Sequence, residues 1–86
     1  MTTIKKIKID SLAPNQYIIK IEGEGTYFQS YKSIIVAKTP EGTFLDEYYW
    51  NYSKTTGKYR NIFLNEDRKE TEKKIKTGKY KLIYLN

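Results

Sequence analysis

Residues 53–65 read SKTTGKYRNIFLN, and the architecture of the chain turns on whether they form one helix or the two arms of a hairpin. At helical spacing Thr55, Tyr59, Ile62 and Phe63 share one face, while Lys54, Lys58, Asn61 and Asn65 share the opposite one. Ser53 or Thr55 supplies an N-cap hydroxyl. Against the helix stands Gly57, which costs about 1 kcal/mol in a helix interior. The competing reading is a hairpin with TTG at its tip between NYS and KYRNIFL. One complete apolar face and one complete polar face emerge only at the helical period, so we read a helix. Its core side is Tyr59, Ile62 and Phe63, joined by Trp50 upstream, and Lys54, Lys58, Arg60 and Asn61 turn outward.

The next segment, NEDRKETEKKIKTGKY, carries stronger helix signals. Asp67 followed by Glu70 resembles a capping box, acids crowd the first turns and lysines the last, and Gly78 stands where a left-handed terminating residue belongs. Glu70 with Lys74 and Glu72 with Lys76 form i,i+4 pairs in the favourable order. The apolar stripe, Leu64, Thr71 and Ile75, is thin, which puts this helix on the surface. KYKLIYL then returns to strand.

Upstream of residue 53 the period is two. IKKIKID alternates Ile7 and Ile9 with Lys6 and Lys8, Pro14 and Asn15 break the run, and YIIKIE resumes it until GEGT. The segment TYFQSYKSIIVAK contains the longest apolar run, Ile34 to Ala37, which suits a central strand covered on both faces. TPEG turns the chain into a short strand over residues 43–46. The elements read β-β-β-β-α-α-β: an α+β domain with a mostly antiparallel sheet of about five strands and two short helices in the C-terminal half.

Eighty-six residues make one domain, 1–86, and a domain of this size buries only roughly 60–65% of its unfolded surface. Nine Tyr supply much of the apolar bulk, and a Tyr ring needs a partner for its hydroxyl, so many belong at the edge of the core. With no Cys and no His, disulfides, thiolate nucleophiles, His-based triads and Cys/His zinc sites are excluded. No long apolar run follows the N-terminal lysines, so the expectation is a cytoplasmic protein with no membrane partner. The net charge of +6 lies wholly in residues 51–86; residues 1–50 carry equal numbers of Lys and of Asp plus Glu.

Only carboxylates remain for acid–base work. Glu22 with Glu24, and Asp46 with Glu47, are the pairs that could carry it, and we read them as solvated turn residues. No phosphate-cradling glycine loop is present, so the chain is expected to be no enzyme, with no catalytic residue, no metal site and no cofactor. Phosphates need cations, and single strands need ring faces on which bases stack. The nucleic-acid-binding candidates are Lys54, Lys58, Arg60, Asn61, Lys69, Lys73 and Lys76. Tyr48, Tyr49 and Tyr52 are candidates for protein interaction, since exposed rings anchor interfaces.

From about Tyr27 onward the chain resembles small uncharacterised proteins and domains encoded by phages and mobile elements of low-GC Gram-positive bacteria. The residues that carry the resemblance are FQSYKSIIV, LDEYYWNYSKTTGKYRNIFL and KETEKKIKTGKYKLIYLN. It implies a mobile-element origin and a bacterial host cell, but no activity and no catalytic residue. Two functions follow: nucleic-acid binding through the basic C-terminal half, or antagonism of a host defence (a restriction or CRISPR effector) or replication complex. The partner is then nucleic acid or a host nucleoprotein complex, and a homodimer is left open.

Overall fold

The computed structural model describes residues 5–86, so the first residue of the IKKIKID segment lies outside it. Five strands run as an antiparallel meander: β1 Ile7–Ala13, β2 Gln16–Ile21, β3 Gly25–Ser30, β4 Ser33–Thr39 and β5 Gly42–Asp46. The helices α1 (Lys54–Leu64) and α2 (Arg68–Lys76) then lead to β6 (Tyr80–Ile83), which lies parallel to β5 and completes a six-stranded sheet. The order β-β-β-β-β-α-α-β has one strand more than expected, because TYFQSYKSIIVAK is a hairpin and not a single strand. Tyr31 and Lys32 form its tip, with Tyr31 at φ 56°. A tyrosine in the left-handed region is uncommon, and no Gly, Asn or Pro marks the turn.

Residues 53–64 are cap and helix, not hairpin: Ser53 caps α1 and accepts from the Thr56 amide. The inward face is rotated from the expected one. Thr56, Gly57, Arg60 and Leu64 are buried, Tyr59 and Phe63 pack at the core margin with Trp50, and Ile62 is 53% exposed. The rotation follows from what the sheet offers. Ser30 and Thr56 share a buried hydrogen bond of 2.8 Å, and Phe63 stacks on Phe28 at 5.7 Å between ring centres. These contacts fix α1 on one face of β3 and leave Ile62 on the far side.

Two bulges adapt the meander to that single covered face. In β4, Phe28 pairs with Val36 and Gln29 with Ile34, leaving Ile35 unpaired. The extra residue sends two successive side chains, Ile35 and Val36, into the core. The apolar run of β4 therefore reflects a bulge, not cover on both faces. In β1 the register shifts between Ser11 and Ala13, and the displaced Leu12 packs against the same core.

The opposite face carries the row Ile9, Ile19, Tyr27, Ala37 and Phe44 across β1 to β5. Neither helix lies on it, and the molecule is only 21 Å along its short axis, room for one sheet and one helix layer. Ile7 and Ile9, on the edge strand, are each 62% exposed.

Two carboxylates fasten the helical crossover to the sheet. Asp46, at the end of β5, is buried and accepts from the amides of Tyr48, Tyr49 and Leu85, tying the β5–α1 loop to the tail after β6. Burial alone would raise its pKa. The bonds from Leu85, Tyr49, the Asn86 side chain and Tyr48 outweigh that and hold it below the ordinary value. Glu66, between the helices, accepts from Thr71, Lys74 and Tyr80 and so joins α2 to β6. Its pKa too is lowered, burial being overcome by these three donors. Lys74 therefore pairs with Glu66 and Glu72 with Arg68, in place of the expected Glu70–Lys74 and Glu72–Lys76 pairs. Asp67 does cap α2, accepting from the Glu70 amide, and Gly78 closes it at φ 83°.

Candidate nucleic-acid interface

An open cleft of about 520 Å3 lies where the loop after β5 enters α1. Its cations are Lys54 and Lys58 from α1, Arg60 from the floor, and Arg68 from the start of α2; no carboxylate lines it. Asn51, Ser53 and Asn61 add polar atoms, and the 51%-exposed Tyr52 adds a ring. The exposed ends of Lys54 and Lys58 come from successive turns of one helix face. The N-terminus of α1, capped by Ser53, contributes further positive potential.

Arg60 differs from the expected outward cation. It is 1% exposed, the largest fully buried side chain among the described residues, and its guanidinium lies 5.2 Å from the centre of the Trp50 ring. Nη1 donates to the Trp50 carbonyl (2.5 Å) and to Asn51 Oδ1 (3.1 Å), and Nη2 donates to Asn61 Oδ1 (3.0 Å). Arg60 thus shapes the loop and orients two of the cleft's amide side chains, so half-buried Asn61 is held rather than free. Its Nε–H has no partner, and no carboxylate pairs with the cation among the described residues. Burial lowers its pKa, helped by Arg68 and opposed by Glu66 and Glu72.

Lys69, Lys73 and Lys76 recur at i, i+4 and i+7 on α2, and all three are exposed. They form one stripe beginning beside Arg68, the α2 residue that lines the cleft. Arg68 is itself shared with Glu72, its Nε 3.3 Å from the carboxylate, which weakens its claim on an outside anion. The stripe and the cleft together contain the charge excess that the sequence places after residue 50.

A family model for a family of unknown function, DUF8033, matches residues 4–79. The chain belongs to that family. The match takes in the meander and both helices and stops just before β6, so it includes the N-terminal strands as well as the chain from Tyr27 to Lys79. Neither the curated proteins nor the solved structures gave a match.

The three tyrosines singled out by sequence touch in series, Tyr48 to Tyr49 at 5.9 Å between ring centres and Tyr49 to Tyr52, but border two different clefts. Tyr52 faces the basic cleft, whereas Tyr48 and Tyr49 border a second cleft, of about 280 Å3, with Tyr84 and Asp46. Tyr49 is half-buried against the core and meets Tyr52 edge-on at 5.4 Å; Tyr48 is 70% exposed. Of the acid pairs, Glu22 and Glu24 lie in the β2–β3 turn with Glu24 bonded to Lys5, and Asp46 is committed to main-chain amides. Among the described residues no group of three or more acids could hold a metal ion, and no helix is long and apolar enough to cross a membrane.

Proposed function

We propose that this protein binds nucleic acid without acting as an enzyme, using the cleft at the start of α1 and the lysine stripe of α2. The observation that carries this reading is the cleft's lining: several cations, no carboxylate, and an exposed ring beside them. Lys54 and Lys58 would neutralise phosphates as mobile point charges, while Arg60 keeps the cleft's shape from below. Tyr52 offers a face on which one base stacks, which favours single-stranded or frayed nucleic acid over an intact duplex. The resemblance to proteins of phages and mobile elements of low-GC Gram-positive bacteria supports the reading, and the cytoplasm of a bacterial host is the compartment proposed with it. Retardation of labelled single- and double-stranded DNA and RNA at low salt is the direct test; no retardation of any of them removes the proposal.

A second reading is supported by the exposure of Tyr48 and Tyr84, 70% and 69%, at the other cleft. Such rings suit the anchor of a protein interface, with a host defence or replication complex as the partner. A pull-down from host lysate, with and without nuclease, separates the two. Capture that survives nuclease and is lost on Tyr48→Ala favours the protein partner.

A further inference from the structure

β1 is an edge strand of the sheet, with one side unpaired among the described strands. The Glu22 amide donates to the Lys6 carbonyl at 2.9 Å, so Lys6 directs its main-chain groups to β2. By alternation Lys8 and Asp10 do the same, and the amides and carbonyls of Ile7, Ile9 and Ser11 point away from the sheet. No described strand pairs with that edge, since β1 is the first strand of the order. The edge carries no proline over Ile7–Ser11. A free edge of this length is a template for another strand.

Charge selects which strand. When β1 meets a second β1 antiparallel about a two-fold axis at Ile9, Ile9 faces Ile9 of the second copy, and Ile7 faces Ser11. These are the three residues whose hydrogen-bonding groups point outward, so each facing pair exchanges two main-chain bonds. In the same register Lys8 faces Asp10 of the second copy, and Asp10 faces Lys8. Moving the axis by one residue to Lys8 or to Asp10 keeps the main-chain groups matched but sets Lys8 against Lys8 or Asp10 against Asp10. On the uncovered face, Ile9 meets Ile9 of the second copy and Ile7 lies diagonal to it, each 62% exposed in the single chain. We propose that two copies of this chain join β1 to β1 in this register, making a continuous twelve-stranded sheet that carries a basic cleft on each half.

Sedimentation of the full chain, with three variants, tests this. The expected result is a species of twice the chain mass at micromolar concentration. Ile9→Pro removes an amide that faces away from β2, a site where an edge strand tolerates proline, and it should give a folded monomer with an unchanged circular dichroism spectrum. Lys8→Asp alone sets like charges opposite each other twice and should weaken dimerisation roughly tenfold or more. Adding Asp10→Lys restores the complement and should restore the dimer. A wild-type chain that stays monomeric at 100-micromolar levels, roughly the upper range of such measurements, overturns the proposal, and so does a partner strand that must come from another protein. A dimer indifferent to Ile9→Pro, or a double variant no tighter than Lys8→Asp, overturns it equally.

Discussion

Asp46 shows how much one side chain can hold in a small domain. Its Oδ2 accepts from two loop amides and its Oδ1 from the tail amide, so both oxygens are used. In Asp46→Asn one of those oxygens becomes an NH2 group facing an N–H donor. The expected loss is about 1–3 kcal/mol in urea unfolding, with the m-value unchanged. An equally stable variant would show that the carboxylate is dispensable. Arg60 teaches the opposite lesson about reading residues one at a time. Its charge suggested solvent, yet it is buried because the Trp50 carbonyl and the Asn51 amide oxygen need donors inside the turn. The available signal was its place in the row Thr56, Arg60, Leu64, an i, i+4, i+8 series that runs straight down the buried face. Ile62, bulky and apolar, drew that face toward itself in the sequence and sits in water instead.

At the scale of elements, the two helices, the terminal strand and most of the turns were legible because caps, glycines and period changes mark them. The β3–β4 turn was not. Its turn residue is Tyr31, and only the pairing of Ser30 with Ser33 reveals it. The bulges at Leu12 and Ile35 were equally hidden, since a displaced residue in a strand leaves no local signature beyond two apolar neighbours. Gly57 gives an element-scale prediction. A Cβ built there meets Arg60 guanidinium atoms at 3.7–4.0 Å, ordinary contact distances, and its φ is helical rather than left-handed. Gly57→Ala should therefore stabilise α1 by about 0.5–1 kcal/mol, measured as a higher unfolding midpoint. A lower midpoint would mean that the helix and the cleft floor are packed more closely than these distances indicate.

Across the whole molecule, the charges that hold the fold are largely separate from those of the proposed interface. Asp46 and Glu66 both have folded pKa values below their unfolded ones. Their stabilisation is accordingly complete well above the unfolded carboxylate values, from about pH 5 upward, and is lost as pH falls through the lower folded values. Thermal unfolding followed from about pH 7 to about pH 2 should show the melting temperature declining only on the acid side of about pH 5. A midpoint flat down to about pH 2 would contradict the two carboxylate junctions. The exposed lysines stand outside that network. Of the cleft, the charge excess and Tyr52 were foreseeable from sequence; the absence of carboxylates from its lining was not, because that depends on how the loop after β5 folds over α1.

The claim that the cleft takes phosphates is tested most directly by the affinity of a labelled single-stranded oligonucleotide as a function of salt, for the wild type and for Lys54→Glu with Lys58→Glu. If about four phosphates are neutralised, log K should fall against log salt with a slope of about −2.8 for single strands, or about −3.6 for a duplex. The double variant should unfold at the wild-type midpoint, bind far more weakly, and show a slope shallower by about 1.4 on single strands. Binding that ignores salt, or a double variant with unchanged affinity and slope, would contradict it.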